Sequence, residues 1–207
     1  MSKEPRVSIV IPVYNGQDYI KEAIESSLAQ TFPDFEVIVV NDGSQDNTVQ
    51  VVESIDDPRI RIVQHEVNRG LAEARNTGIR EARGEYIAWL DADDLAEPDR
   101  LKIQVCYFEH HEEITICGTQ AEYFGSKQGE TSKQLRHDEL AASLIFESPF
   151  IISSVMMRKS VLGNERFQTE VNDSMCDYDM WVRLYGRGKW ANIDKCLVHY
   201  RVHDIQM

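Results

Sequence analysis

Three carboxylates stand within four positions directly after a hydrophobic run, at Asp91, Asp93 and Asp94. The run, residues 86–90, has the length and composition of a buried strand. Carboxylates repel one another, and gathering them at a strand end is costly unless a cation shares the site. A divalent metal ion is the simplest such cation, because hard ions prefer oxygen ligands and bridge carboxylates to phosphates. The alternative is a solvated acidic loop in which Asp94 or Asp99 caps the next helix.

Alternating strand and helix signals in the first hundred residues indicate where this acidic cluster lies. Apolar, β-branched runs predict strands, and apolar residues at three- and four-residue spacing predict helices. The strands are expected at 7–11, 35–40, 59–64 and 86–90, and the helices at 19–30, 48–54 and 71–82. Strands separated by helices indicate an α/β fold with a mostly parallel sheet, flanked by helices on both faces.

Distinctive polar residues follow three of these strands. Tyr14 and Asn15 come after the first, Asp42 after the second, and Asp91 and Asp93 after the fourth. Ligands of such sheets bind beyond the carboxyl ends of the strands. We therefore expect these side chains to meet in one crevice.

The second half of the chain has less regular signals. Helices are predicted at 98–110, 138–146 and 180–185, strands at 114–117, 151–157 and 190–198, and a polar loop at 125–133. No internal repeat, low-complexity segment or linker separates the two halves. The sequence therefore predicts a single domain over residues 1–207.

Composition narrows the functional classes. The net charge of −13, from 22 basic and 35 acidic residues, argues against nucleic acid or an anionic membrane surface as a general partner. It also means that a phosphorylated ligand needs local positive charge. The four cysteines form no Cys-x-x-Cys pair, which argues against a zinc site or a disulfide framework. No signal peptide and no 18-residue apolar run is visible, so the predicted location is the cytoplasm, with no transmembrane segment.

Six motifs, in order from residue 7 to residue 203, resemble the inverting glycosyltransferases of family 2. They are Val-Ser-Ile-Val-Ile-Pro-Val-Tyr-Asn (7–15), Val-Asn-Asp-Gly-Ser (40–44), Ala-Arg-Asn-x-Gly-Ile (74–79), Gly-Glu-Tyr-Ile-Ala-Trp-Leu-Asp-Ala-Asp-Asp (84–94), Asp-Tyr-Asp-Met-Trp-Val-Arg-Leu (177–184) and Tyr-Arg-Val-His (200–203).

The resemblance implies a fold of the GT-A type and a defined reaction. The nucleotide-binding half would span about 1–97 and the acceptor side about 98–207. The reaction would move a sugar from a nucleotide-sugar, usually a UDP-sugar, to a hydroxyl of a glycan or lipid-linked acceptor, with Mn²⁺ or Mg²⁺ as cofactor. Peripheral association with the inner face of the membrane fits such acceptors. Family members often continue for tens of residues, so the chain is expected to be a truncated or a compact member.

Besides Asp91, the resemblance assigns five residues to the nucleotide. Pro12 and Tyr14 would surround the base, and Asp42 would contact the uracil or the ribose. Asn15 is a turn residue first and a ligand second. Arg75 would contact phosphate or a uracil carbonyl, because its planar fork suits both.

An alternative for Arg75 is an ion pair on the helix surface. Glu73 and Glu81 are the acids within reach of it along a helix, and Arg69 offers another contact for the nucleotide one turn earlier.

The metal site would be formed by the acidic cluster and a late histidine. By resemblance, Asp93 coordinates the ion, Asp91 lies nearer the ribose or a metal-bound water, and His203 approaches the metal and the diphosphate. Asp94 would cap or support the site. Arg201 would face the diphosphate or pair with a carboxylate.

Asp177 is the candidate catalytic base. Inversion needs a single displacement, so a carboxylate must take the proton of the acceptor hydroxyl as it attacks. Many family members carry Glu-Asp here, whereas this chain has Cys176-Asp177. Asp179 is the competing base, and Trp181 would pack beneath the helix or form a platform for the acceptor sugar.

Two other functions remain open from the residues. The first is phosphoryl transfer with Asp91 as the nucleophile, although here the motif follows the fourth strand and three nucleotide-type motifs precede it. The second is a non-catalytic nucleotide-sugar or glycan binder of the same fold, although Asp91, Asp93 and Asp177 are all present.

Overall fold

The computed structural model describes residues 4–204, and in this part of the chain the strands form one sheet. The strands are β1 (Val7–Val13), β2 (Phe35–Asn41), β3 (Ile60–Gln64), β4 (Tyr86–Trp89), β5 (Leu95–Ala96), β6 (Ile114–Gly125), β7 (Gly129–Glu130), β8 (Met156–Arg158) and β9 (Lys189–Val202). The helices are α1 (Ile20–Leu28), α2 (Thr48–Glu53), α3 (Leu71–Glu81), α4 (Arg100–His110), α5 (His137–Ser143), α6 (Lys159–Leu162) and α7 (Cys176–Leu184).

The first four strands pair in parallel, in the order β3-β2-β1-β4. The sheet continues through β8, β6, β9 and β5, where β8 is antiparallel to β4 and β9 is parallel to β6. The predicted α/β class is therefore confirmed. Because β1, β2 and β4 are parallel neighbours, their carboxyl ends lie at one edge, where the sequence places its polar residues.

Period-two alternation along β1 and β2 divides the core between the two faces of the sheet. Val10 and Ile38 belong to the cluster that packs under α3, while Ile9 and Val37 face α1. Helix α3 lies very close to the sheet at Gly78, where a Cβ atom would come within 2.2 Å of Val10 Cγ1. This close packing fixes the position of the arginine on the same helix.

Several predicted elements of the second half differ from the structure. The strand predicted at 151–157 is a 3₁₀ turn, Ile152–Ser154, followed by the short strand β8. The turn forms because Ser154 Oγ donates to the Ile151 carbonyl and accepts from the Thr119 amide, so side-chain bonds replace a ladder.

The other differences concern where elements end or begin and one strand that was not predicted. Strand β6 runs eight residues beyond the predicted end at 117, because β9 pairs with it along its whole length despite weak alternation. Strand β7 lies within the predicted loop at 125–133. Helix α7 begins at Cys176 rather than 180, since its first turn carries two aspartates that favour a helix N-terminus but add nothing to apolar periodicity.

Both halves of the chain contribute strands to the sheet, and the boundary near residue 97 stays a prediction. Within residues 4–204, no helix combines the length and the apolar composition needed to cross a bilayer.

Candidate active site

A cleft opens at the carboxyl ends of β1, β2 and β4. It consists of a cavity of about 300 Å³ lined by Asp91, Asp93 and His203, and an adjoining one of about 150 Å³ lined by Asp42 and Asp173. The two cavities share four residues: Pro12 and Val13 at the end of β1, Tyr14 directly after it, and Leu71 at the start of α3. The structure thus brings together the predicted residues of all three strand ends.

The loop after β1 is fastened to the loop after β2. Asn15 has a left-handed backbone, with φ of 51°, and its amide donates to Ser44 Oγ while its Oδ1 accepts from the Gln45 amide. The Gly16 amide donates to Thr48 Oγ1. Asn15 therefore has a clear structural role in the turn, and its exposed side still lines the larger cavity. The Tyr14 ring, which is half exposed, forms a wall of both cavities.

Asp42 is buried at the base of the smaller cavity, where three donors contact its carboxylate. Its Oδ1 accepts from the Arg69 amide at 2.9 Å and lies 2.6 Å from His65 Nδ1, and its Oδ2 accepts from the Gly70 amide at 2.9 Å. Asp42 therefore fixes the loop over residues 68–70 that forms one wall of the cavity. His65 carried no motif in the sequence, and its other ring nitrogen contacts Thr77 on α3.

Arg75 points inward from α3 and is 3% exposed. Its guanidinium donates to Asp91 Oδ1 at 3.1 Å and to Cys176 Sγ at 3.2 Å, and it lies over the Phe167 ring. The side chain therefore joins the end of β4 to the first residue of α7.

The surface ion pairs considered for Arg75 do not form. Glu73 pairs with Arg80, and Glu81 pairs with Arg61. Burial alone would lower the pKa of Arg75, but the neighbouring Asp91, Cys176 and Asp177 raise it overall. The guanidinium is therefore held charged inside the protein.

The three acids of the cluster have different surroundings. Asp93 Oδ2 lies 2.7 Å from His203 Nε2, at the opening of the larger cavity. Asp91 pairs with Arg75 and stays partly exposed to the cavity. Asp94 is 1% exposed and its Oδ1 accepts from the Arg201 amide at 2.8 Å.

Burial, with the nearby charge of Asp91, raises the pKa of Asp94 well above its usual range. Asp94 therefore belongs to the scaffold beneath the site. Arg201 pairs with Glu22 at 2.7 Å, and its guanidinium lies over the rings of Tyr19 and Phe124. Of the two roles predicted for Arg201, the structure shows the pairing with a carboxylate.

Helix α7 presents Asp177 and Asp179 differently. Asp179 forms an ion pair with Arg183 at 2.7 Å, whereas Asp177 forms no ion pair with any residue from 4 to 204. Burial raises the pKa of Asp177, and the charge of Arg75 offsets part of that rise. Trp181 is fully buried and packs against Phe150, so it is a core residue rather than a platform for a sugar.

Sequence reasoning missed several residues of the site. Asn68, Leu71 and Asp173 line the cleft, and Cys176 contacts Arg75. Their only signal is proximity to motif residues along the chain: Leu71 opens α3, and Asp173 lies four positions before Asp177.

A family model, curated relatives and solved structures all match this chain over most of its length. The sequence matches the family model for "Glycosyl transferase family 2" over residues 8–166. An uncharacterized glycosyltransferase of Haemophilus influenzae is 32% identical, over 100% of this chain and 68% of that protein. The hyaluronan synthase of Pasteurella multocida is 31% identical, over 98% of this chain and 21% of that protein.

The fold matches that of S. aureus TarS, solved in complex with UDP. The TM-score is 0.81 with 25% identity, covering 95% of this chain and 60% of the TarS chain. This chain therefore spans about two thirds of the Haemophilus protein, and less of TarS and of the synthase.

We expect the Arg75→Met variant to lose about 3 kcal/mol of unfolding free energy, because Asp91 would be left beside other acids without its cation. Urea denaturation measures the loss. Arg80→Met is the matched control on the exposed face of the same helix, where the ion pair with Glu73 contributes less than about 1 kcal/mol. Equal losses for the two variants would contradict the role given to Arg75.

Proposed function

Because this chain belongs to glycosyltransferase family 2, we propose that it transfers a sugar from a nucleotide-sugar donor to an acceptor hydroxyl with inversion of configuration. The observation that carries the proposal is the cleft itself. Side chains from three strand ends meet there. Asp177 on α7 lines neither cavity, but it lies close enough for the charges of Arg75 and Asp91 to act on its pKa, and it has no ion-pair partner in the described part of the chain.

The donor nucleotide is proposed to be UDP, supported by the likeness to TarS in complex with UDP. Tyr14 and Pro12 would hold the base, and the buried Asp42 would accept a hydrogen bond from it. Asp91 would contact the ribose. Because the guanidinium of Arg75 is buried and engaged, it would act on the nucleotide by fixing Asp91 rather than by touching it.

Asp93 and His203 are the residues proposed to hold Mn²⁺ or Mg²⁺, with Asp91 beside them. A carboxylate oxygen and an imidazole nitrogen 2.7 Å apart at the mouth of the cavity suit a shared divalent cation. Among residues 4–204, no three His, Cys, Asp or Glu side chains are gathered to hold an ion by themselves. Diphosphate oxygens and water would therefore supply further ligands, and a bound cation would neutralise charge that develops on the leaving diphosphate.

Asp177 would accept the proton of the acceptor hydroxyl. The hydroxyl oxygen attacks the anomeric carbon as the bond from that carbon to the diphosphate oxygen breaks, so the nucleoside diphosphate leaves with the electron pair. Burial raises the pKa of Asp177, which makes its carboxylate a stronger base than an exposed aspartate. Asp179 is the weaker candidate because Arg183 neutralises it.

The acceptor is proposed to be a glycan or a lipid-linked sugar, with peripheral association at the inner face of the membrane for the latter. The relative named hyaluronan synthase supports a polysaccharide acceptor.

The Asp177→Asn variant tests the base directly. We expect transfer to fall at least about 100-fold, because the proton acceptor is lost, while UDP binding measured by calorimetry stays within a factor of two or so of wild type. Asp179→Asn is the matched control on the same helix and should keep most of its turnover. Unchanged turnover in Asp177→Asn would eliminate Asp177 as the base. A wild-type protein that binds but never transfers would instead indicate a non-catalytic binder.

The Asp93→Ala variant tests the metal site. In wild type, Mn²⁺ should tighten UDP binding relative to a chelator, and this metal-dependent gain should disappear in Asp93→Ala because a ligand of the cation is missing. Asp99→Ala, which removes a carboxylate bonded to Thr31 outside the cleft, should keep the gain. Equal UDP affinity with and without Mn²⁺ in wild type would refute metal dependence.

A further inference from the structure

We propose that Asp173 contacts the nucleoside of the donor and accepts a hydrogen bond from it, so that the segment carrying the catalytic base also senses the bound nucleotide. This inference rests on the proposed function and assigns a residue that no motif identifies. It concerns the short 3₁₀ turn Asp173–Met175, which leads directly into α7.

Asp173 lies in the wall of the smaller cavity. Its side chain lines the smaller cavity together with Asp42, Asn68 and Tyr14. Its two carboxylate oxygens lie 3.6 and 3.8 Å from the point that a Cβ atom on Gly70 would occupy. Asp173 thus faces the loop fixed by Asp42, across a cavity at the end of β2.

Asp173 differs from the other acids of the cleft in having no partner for its carboxylate among residues 4–204. Asp42 accepts from two backbone amides, Asp91 pairs with Arg75, and Asp93 contacts His203. The carboxylate of Asp173 makes no hydrogen bond or ion pair within the described residues. Water solvates an exposed carboxylate at a cavity rim, so the free energy cost of leaving it without a protein partner is small. A ligand that displaces this water must supply a hydrogen-bond donor in its place.

The chemistry of the two ends of the cleft indicates which part of the donor Asp173 meets. A diphosphate would be repelled by Asp42 and Asp173, and suits the end with Asp93 and His203, where a cation is proposed. The nucleoside offers what a carboxylate needs, namely O–H groups on the ribose and an N–H group on the base. The ribose hydroxyl and the base N–H would make the same contact, in which each donates a hydrogen bond to the Asp173 carboxylate.

The segment is built so that movement of Asp173 reaches Asp177. Asn172 caps the turn, since its Oδ1 accepts from the Ser174 amide and its carbonyl accepts from the Met175 amide. The carbonyl of Asp173 in turn accepts from the Cys176 amide. A nucleotide that holds Asp173 would therefore also restrict the first turn of α7, where the base lies.

Calorimetry with UDP and Mn²⁺ tests the contact. We expect Asp173→Ala to weaken UDP binding about 10-fold, as for a lost hydrogen bond to a charged group, and Asp173→Asn to weaken it less. Glu170→Gln removes a charge from an exposed site of the same loop and should bind like wild type. Wild-type or tighter binding by Asp173→Ala would overturn the inference, because Asp173 would then contribute nothing or only repulsion.

Modified nucleotides identify the donor group. If the contact is to a ribose hydroxyl, 2′-deoxy- or 3′-deoxy-UDP should lose affinity in wild type but not further in Asp173→Ala. If it is to the base, N3-methyl-UDP should show this coupling instead. Additive losses for all three nucleotides would overturn the contact.

Hydrogen exchange tests the link to the base. UDP should slow amide exchange over residues 172–177 in wild type but not in Asp173→Ala. The same slowing in both proteins would refute the link. Failure of wild type to bind any nucleoside diphosphate would instead refute the proposed function, so the two failures are distinguishable.

Discussion

Repulsion among the carboxylates at the end of β4 is the constraint on which the rest of this site depends. The fold reduces this repulsion because each of the three acids has a different partner. Asp91 meets the buried Arg75, Asp93 meets His203, and Asp94 withdraws into the core, where it accepts from a backbone amide of β9. Only Asp91 and Asp93 are left facing the cavity, so the cluster divides into two side chains available to a ligand and one that supports them.

Arg75 extends this arrangement beyond the strand end. Its side chain contacts Cys176 at the start of α7, next to Asp177. Where family members often carry a glutamate, this chain has a neutral thiol, so Asp91 is the one carboxylate bonded to the guanidinium in the described part of the chain. The acidic cluster at the end of β4 and the proposed base are therefore connected through one buried charge, and we expect its replacement to disturb both.

The sequence predicted the α/β class and the meeting of three strand ends, because period-two and period-3.6 patterns are strong in the first hundred residues. It also predicted that Asp91, Asp93 and His203 would lie together, which rested on motif resemblance. It did not predict His65 beneath Asp42 or Asp173 across the cavity. Such contacts arise from tertiary packing between distant segments, which leaves no periodic signal.

The second half was predicted less well for a related reason. The turn before β8 is held by a serine hydroxyl, and the far end of β6 is defined by pairing with β9 rather than by its own alternation. The sequence ranked Asp177 above Asp179 as the base, but it did not predict the ion pair of Asp179 with Arg183, because spacing on a helix does not say which acid finds a partner.

The most direct test of the central claim, that one cleft at the strand ends holds nucleotide and cation together, is a crystal structure with UDP and Mn²⁺ using anomalous diffraction from manganese. The account predicts one manganese peak at coordination distance, about 2.2 Å, from Asp93, with the uracil in the cavity beside Tyr14. UDP bound in the separate groove lined by His137 and Trp190, or a manganese peak that does not touch Asp93, would contradict it.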